Sequence, residues 1–275
     1  MEFMHLKRWL TSLVAVPILV VFLIKAAPAL FAGFIGILAI IALREYNRIV
    51  FDGLKPAVGW MLPLWGFVFA LLILYAVYTS GWRYVPALIL VNGLGAAIYS
   101  IFRFKIDTGI VDGVSRQMQG LIYIPLALST LILLRMEPNG VRWVFFLLFV
   151  VFLGDVGAFY AGRVFGRRKL SPAVSPGKTV EGAIGAMAAS IAVGFCFMLI
   201  FLPHLPPLGC LILFVAVSFT GQAGDLFESE LKRVRQIKDS GNILPGHGGL
   251  LDRIDALLFA APTAYLFKQY ILPLF

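Results

Sequence analysis

Residues 143–162 read WVFFLLFVVFLGDVGAFYAG, and this stretch indicates the class of fold. Asp155 is its single charge, and a helix of about 20 apolar residues is long enough to cross the hydrocarbon core of a bilayer. Similar apolar blocks recur along the 275-residue chain, in which 60% of residues are hydrophobic and 13% are charged. This composition excludes a single soluble core, because too few polar residues remain to cover its surface.

Working outward from this block, we predict an all-α polytopic integral membrane protein with about nine transmembrane helices. The predicted spans are residues 9–24, 28–43, 59–78, 85–102, 119–134, 143–162, 179–202, 208–226 and 254–274. The fifth span contains Pro125, which neighbouring helices can accommodate. Two alternatives therefore stay open for it, a full span and a re-entrant segment.

The basic residues indicate how these spans are oriented. The 23 Lys and Arg lie in short segments between apolar blocks rather than in one stripe, so the net charge of +9 does not indicate a nucleic-acid partner. With the N-terminus in the cytoplasm, all but five fall on the inner side; the five are Lys25, Arg83, Arg135, Arg142 and Lys268. The positive-inside rule therefore favours a cytoplasmic N-terminus and an odd number of spans in the plasma (inner) membrane.

The connecting segments divide the chain into two regions. Residues 1–140 are predicted to be an N-terminal transmembrane region with short, chemically plain connections. Residues 141–275 are predicted to be a catalytic transmembrane region, because its cytoplasmic segments are long and rich in Gly, Pro, Ser, Lys and Asp. The two cysteines, Cys196 and Cys210, lie in apolar stretches without CxxC spacing, which supports neither a disulfide framework nor a zinc site.

Carboxylates at the inner membrane face are the first candidate site residues. A charged group in a membrane is costly unless it is paired, hydrated or bound to a cation, so each is a functional hypothesis. The predicted topology brings six of them to one depth: Asp155, Glu181, Asp225, Glu228, Asp252 and Asp255.

The spacing of these acids suggests a metal site. Asp225 and Glu228 are three residues apart, as are Asp252 and Asp255, and residues at this spacing share a helix face. Two such pairs would frame an oxygen-lined site for Mg²⁺, which takes one or two carboxylates and completes its shell with water and phosphate oxygens. The alternative is that Lys232 and its basic neighbours neutralise the acids in structural ion pairs.

A basic, glycine-rich segment lies among these acids, at residues 232–249. Lys232, Arg233 and Lys238 supply positive charge, and glycine-rich backbone next to a helix start presents N–H groups to phosphate. The segment ends in PGHGG at residues 245–249, which we call the glycine run. Within it, His247 either donates to a phosphate or caps the following helix. The segment predicts a polyphosphate ligand, with attraction to anionic lipid headgroups as the alternative.

A second basic segment, residues 167–182, contains Gly177, Lys178 and Thr179. It is not a phosphate-binding P-loop, because Pro172 occupies the position of the first glycine and the segment does not follow a strand in a soluble α/β domain. Ser175 and Lys178 remain candidates to hold a phosphate at the start of the seventh span.

These segments resemble a known family. Residues 229–255, SELKRVRQIKDSGNILPGHGGLLDRID, resemble the signature of CDP-diacylglycerol synthase, also called phosphatidate cytidylyltransferase. Residues 154–163 (GDVGAFYAGR), 175–182 (SPGKTVEG) and 224–229 (GDLFES) look like the other segments shared by that family. The resemblance covers residues 150–260; the first 140 residues resemble the family only in forming several hydrophobic spans.

The resemblance implies that CTP and phosphatidic acid react in the presence of Mg²⁺ to give CDP-diacylglycerol and pyrophosphate. On this hypothesis Asp225 and Asp252, assisted by Glu228 or Asp255, hold one or two cations against the CTP phosphates. The leaving pyrophosphate is neutralised by Lys238, Arg253 and the turn formed by His247 and Gly248. The phosphatidic acid headgroup is held by Ser175, Lys178, Lys232 and Arg233. Its acyl chains lie in a groove between spans, and the use of CTP or dCTP stays open.

Two other functions fit the sequence less well than this one. A CDP-alcohol phosphatidyltransferase requires a DG-AR pattern that does not follow Asp52-Gly53 or Asp112-Gly113. A secondary transporter for an anionic solute would carry its charges near the membrane midplane and would be built from repeats, neither of which the sequence contains. The 14% aromatic content and the small-residue helix faces allow a homodimer without requiring one.

Overall fold

A computed structural model of the chain describes residues 17–51, 60–243 and 248–275. Its helices are α1 (Pro28–Val50), α2 (Met61–Ser80), α3 (Val85–Arg103), α4 (Ile110–Leu121), α5 (Ala127–Met136), α6 (Gly140–Phe165), α7 (Val180–Phe201), α8 (Pro207–Val234) and α9 (Leu251–Leu266). Within these described residues, and with α4 and α5 counted as one, seven helical segments are long and apolar enough to cross a membrane. The prediction of an all-α polytopic membrane protein is confirmed at this level.

The second to eighth predicted spans each correspond to one of the seven segments. The first predicted span lies partly outside the described residues, and residues 17–25 are helical. The ninth corresponds to α9, which has 16 residues and continues through a π-helical turn, Phe267–Ile271, and a 3-10 turn, Leu272–Leu274. The count of nine therefore stays a prediction.

The fifth predicted span is the central helix of the bundle. It runs for 27 residues from Ile110 to Met136. In its most apolar 18-residue stretch 78% of the residues are buried, against 17–39% in the other six segments. A π-helical turn, Ile122–Leu126, joins α4 to α5 at Pro125, the residue that lacks a backbone N–H. This length favours a full span over a re-entrant segment.

Small residues allow the helices of residues 141–275 to approach one another closely. A Cβ on Gly157 of α6 would collide with Ala189 of α7, and one on Gly224 of α8 would lie 2.6 Å from the backbone oxygen of Asp255 in α9. Such close backbone approach is typical of helix packing in membranes. It brings the ends of α6 and α8 and the start of α9 together at one end of the bundle, which we call the site end.

A two-stranded hairpin connects α6 to α7, and the sequence analysis does not predict it. Strand β1 (Lys169–Ser171) pairs antiparallel with β2 (Ser175–Thr179). Thr179 ends the hairpin and caps α7, because its hydroxyl accepts a hydrogen bond from the N–H of Gly182 at 3.1 Å. The second basic segment, residues 167–182, therefore forms a short β-hairpin at the site end.

Candidate active site

Acidic and basic side chains at the site end are divided between two groups. The first, the cavity group, comes from α6, β2, α8 and α9 and consists of Asp155, Lys178, Asp225 and Asp255. The second, the lysine group, comes from α8 and α9 and consists of Glu228, Lys232 and Asp252. Each predicted i,i+3 pair thus has one member in each group.

A cavity of about 400 Å³ lies between α6, the hairpin, α7 and α8. Asp155 and Asp225 line the cavity together with Lys178. The Nζ of Lys178 lies 2.6 Å from the Oδ2 of Asp225, and the two side chains keep 26% and 34% of their surface exposed. Because this ion pair is accessible, a phosphate that enters the cavity can compete for the lysine.

Asp255 of α9 adds a third carboxylate to the cavity group, although it does not line the cavity itself. It interacts electrostatically with Asp225 and Asp155, and its Oδ1 accepts a hydrogen bond from the N–H of Ala256 at 2.7 Å. Three acids from three helices therefore concentrate negative charge at the site end. Such a concentration is stabilised by a cation, by protonation or by water.

The lysine group is more deeply buried. Lys232 Nζ lies 2.7 Å from Asp252 Oδ1 and also contacts Glu228, one turn earlier on α8. The side chains of Glu228 and Asp252 are 0% and 9% exposed, so Lys232 is the cation that compensates both. Removing one partner from such an arrangement leaves an uncompensated buried charge, which is strongly destabilising.

Asp252 also binds backbone N–H groups ahead of the glycine run and at its last residue. Its Oδ2 accepts hydrogen bonds from the N–H of Ser240 at 3.0 Å and of Gly249 at 2.9 Å. Gly248 has a φ of 83° in the left-handed region, and a Cβ there would lie 3.0 Å from Asp252 Oδ2. Glycine is therefore favoured at 248 both by the backbone conformation and by the space that the carboxylate takes.

Glu45 on α1 is a site residue that the sequence analysis missed. It is 4% exposed, and its carboxylate accepts hydrogen bonds from Ser240 Oγ at 3.1 Å, Leu250 N at 3.1 Å and Leu251 N at 2.8 Å. A Cβ on Gly249 would lie 2.7 Å from its Oε2. The argument from membrane depth applies equally to Glu45, at the same end of the second span, and would have found it.

The remaining predicted site residues lie around these groups. Arg233 donates to Val174 O in the hairpin at 3.0 Å, which joins α8 to the hairpin in which Ser175 begins β2. Lys238 and Arg253 are exposed at the site end. His247 lies outside the described residues.

The donor set of the cavity group fits Mg²⁺. No three His, Cys, Asp or Glu side chains within residues 17–51, 60–243 and 248–275 are arranged so that they could hold a metal ion alone. Asp155 and Asp225, however, face one cavity with room for a phosphate. Mg²⁺ needs one or two carboxylates and takes its other ligands from water and substrate phosphates. In the lysine group, the ammonium of Lys232 already lies between the two carboxylates.

Comparison with known proteins gives a family match across almost the whole chain. The family model described as "Cytidylyltransferase family" matches residues 6–271. An Escherichia coli (strain K12) protein called "Uncharacterized protein YnbB" is 34% identical over 250 residues, which cover 86% of this chain and 78% of that protein.

Several relatives carry the name phosphatidate cytidylyltransferase, among them proteins of Bacillus subtilis and Brucella suis. The Bacillus subtilis (strain 168) protein is 41% identical over 145 residues, covering 52% of this chain and 54% of the relative. The Brucella suis biovar 1 protein is 45% identical over 150 residues, covering 54% of this chain and 55% of the relative. The chain therefore matches about half the length of each of these relatives.

Proposed function

Because the chain belongs to the cytidylyltransferase family, we propose that it transfers a cytidylyl group from CTP to phosphatidic acid. The products are CDP-diacylglycerol and pyrophosphate. The observation that carries the proposal is the cavity at the site end, where Lys178 and the carboxylates of Asp155 and Asp225 meet. The relatives named phosphatidate cytidylyltransferase support the choice of lipid substrate.

The reaction needs neutralisation of charge more than it needs a general base. A phosphate oxygen of phosphatidic acid attacks the α-phosphorus of CTP, and the bond from that phosphorus to the bridging oxygen of pyrophosphate breaks. The bonding electrons leave with pyrophosphate, and the attacking oxygen is already an anion. Catalysis therefore rests on in-line placement of two polyanions and on cations that offset their repulsion.

The cavity group is proposed to carry out this step. Asp155 and Asp225 would hold Mg²⁺, which supplies positive charge to the phosphate oxygens. Lys178 is proposed to leave Asp225 for a substrate phosphate. Asp255, which interacts electrostatically with both, would add to the negative charge that favours a cation there.

The lysine group and Glu45 are proposed to position the glycine run rather than to touch the reacting atoms. Lys232 and Asp252 tie α8 to α9, and Asp252 and Glu45 hold Ser240 and the residues that begin α9. The exposed Lys238 and Arg253 would then neutralise the leaving pyrophosphate from this framework. The proposed division is a catalytic region at 141–275 and an N-terminal region at 1–140 that contributes Glu45.

The activity is tested with detergent-purified protein, labelled CTP, dioleoyl phosphatidic acid and Mg²⁺, with and without a chelator. We expect label in the lipid extract and pyrophosphate in the aqueous phase only when all three components are present. Asp225→Asn is expected to abolish both signals, while the matched variant Asp112→Asn, at an exposed position on α4, is expected to keep them. No lipid label from stable wild-type protein would refute the proposal.

We further propose nine spans, a cytoplasmic N-terminus and a cytoplasmic site end in the plasma membrane. The excess of Lys and Arg in segments on the site side supports this orientation. Lys238→Cys and Glu137→Cys, in a background without the two native cysteines, place one thiol at each end of the bundle. A membrane-impermeant maleimide added to intact cells should label position 137 and not position 238. Labelling of position 238 and not of position 137 would show that the topology is the reverse of the one proposed.

A further inference from the structure

The side chain of Gln222 on α8 lines the cavity, and the proposed reaction assigns it no role. Gln222 precedes Asp225 by three residues on α8, and residues at this spacing share a helix face. Because α8 runs toward the site end, Gln222 lies deeper in the bundle than Asp225, by about 4.5 Å at 1.5 Å per residue. The structure therefore places a neutral amide farther from the site end than the ion pair of Lys178 and Asp225.

Two contacts fix the orientation of this amide. The Nε2 of Gln222 donates to the backbone oxygen of Ala183 on α7 at 3.4 Å and lies 3.3 Å from the Oγ of Ser218, one turn earlier on α8. A backbone oxygen can only accept a hydrogen bond, so the NH₂ group of the amide faces α7. The amide oxygen, Oε1, accepts no hydrogen bond from the part of the chain that the structure describes, and it is not a buried atom. It is therefore open to the space that Gln222 lines.

Asp155 of α6 lines the same space and also lacks a hydrogen-bond donor. Asp155 and Gln222 share the main cavity and a second, small cavity of about 10 Å³ between α6, α7, α8 and α9. The carboxylate of Asp155 interacts electrostatically with Asp225 and Lys178, but no described residue donates a hydrogen bond to it. An amide oxygen and a carboxylate thus meet at one cavity as acceptors without donors.

Acceptors that meet without donors are complementary to a cation. They repel the oxygens of a phosphate, because neither group has a proton to donate to them. Carboxylate, carbonyl and water oxygens are the ligands that suit Mg²⁺ and Mn²⁺. Within residues 17–51, 60–243 and 248–275 the acids alone form no set of three metal ligands, and an amide oxygen would add a third to Asp155 and Asp225.

We propose that the Oε1 of Gln222 is the third protein oxygen of the cation site at Asp155 and Asp225. This assignment rests on the proposed function, from which the cation is taken. The contact with Ala183 O then has a purpose beyond joining α8 to α7, since it turns the amide so that its oxygen is presented to the cavity.

The role of Gln222 is tested by Mn²⁺ binding without CTP or lipid, with free Mn²⁺ measured by electron paramagnetic resonance. The binding attributed to the cavity is the part that Asp225→Asn removes. Gln222→Met removes the oxygen at a similar side-chain length, and a polar contact with a charged group corresponds to roughly a 10- to 100-fold effect. We therefore expect the dissociation constant for Mn²⁺ to rise at least about tenfold in Gln222→Met.

Gln222→Glu separates this role from a structural one. It keeps an oxygen for the cation but loses the NH₂ group that donates to Ala183 O. A residue that only joined α8 to α7 would be impaired equally by Met and by Glu. We expect instead that Gln222→Glu binds Mn²⁺ at least about threefold more tightly than the wild type, because it adds a negative charge. The matched controls, Gln269→Met and Gln269→Glu, lie at an exposed position next to Lys268 and away from the site end, and should bind Mn²⁺ as the wild type does.

Three results would overturn the assignment: no Mn²⁺ binding by the wild type, an unchanged dissociation constant in Gln222→Met, or an equal rise in both Gln222 variants. If Gln222→Met does not fold, Gln222→Glu decides alone, and binding no tighter than that of the wild type overturns the assignment. The proposed function fails separately. Lipid label from the wild type together with an unchanged dissociation constant in Gln222→Met would mean that the assignment of Gln222 is wrong and the transfer reaction stands. The expected Mn²⁺ pattern without lipid label would mean the reverse.

Discussion

Replacing Glu45 with alanine removes the acceptor of three hydrogen bonds that join α1 to the segment around the glycine run. The donors are the hydroxyl of Ser240 and the N–H groups of Leu250 and Leu251, and Glu45 itself is 4% exposed. Each buried donor left without a partner costs about 1–3 kcal/mol. The lower limit for three donors is therefore about 3 kcal/mol, a factor of more than 100 in the equilibrium constant between the ordered and the disordered segment.

The assay separates a loss of order at the site from general unfolding. We expect Glu45→Ala to lower kcat/KM for CTP by more than roughly 30-fold and to lower the melting temperature in detergent. Glu45→Gln keeps one acceptor oxygen but turns an amide NH₂ toward N–H donors, so we expect an intermediate loss. The intermediate value is informative, because a residue that only filled space would tolerate glutamine fully.

The matched control is Glu137→Ala. Glu137 lies away from the site end and pairs with Lys268 at 3.0 Å, with 31% of its side chain exposed. An accessible ion pair of this kind contributes about 0–1 kcal/mol. If Glu45→Ala is as active and as stable as this control, the reasoning that Glu45 positions the glycine run is wrong.

Three further predictions follow from the same contacts. Asp225→Asn should lower pyrophosphate release more than about 100-fold. It should not lower the melting temperature, because Asp225 lies at an accessible cavity. Turnover equal to that of Asp112→Asn would contradict the role of Asp225. Lys232→Met should lower the free energy of unfolding by about 3–5 kcal/mol, since two buried acids lose their cation. If the stability stays near that of the wild type, another group must compensate those acids. Gly157→Ala should destabilise the α6–α7 contact by about 1–3 kcal/mol. Gly33→Ala should not be destabilising, because there is open space around the added methyl group. If the melting curves of the two variants coincide, α6 and α7 do not pack as closely as described.

Much of the fold could be predicted from the sequence because membrane insertion depends on length and hydrophobicity, which are local properties. Seven of the predicted spans correspond to helices of membrane length. The grouping of the acids at one end of the helices could be predicted for the same reason, since each acid lies near the same end of its span. The family resemblance rested on contiguous segments and is confirmed by the family match.

The division of the acids between two groups could not be predicted from spacing alone. Asp225 and Glu228 are three residues apart on α8, which places them about 60° apart around a helix with 3.6 residues per turn. That angle is small enough to suggest one shared site. It is also large enough for Asp225 to meet Lys178 of the hairpin while Glu228 meets Lys232.

The sequence by itself therefore determined the membrane class, seven of the predicted spans and the family. The tertiary structure alone decided which charges meet, because that depends on the rotation of each helix about its axis and on contacts between distant segments. Glu45 and Ser240 are 195 residues apart in sequence and share a hydrogen bond. The hairpin over the cavity and the orientation of the Gln222 amide depend in the same way on how the helices pack, which no local pattern records.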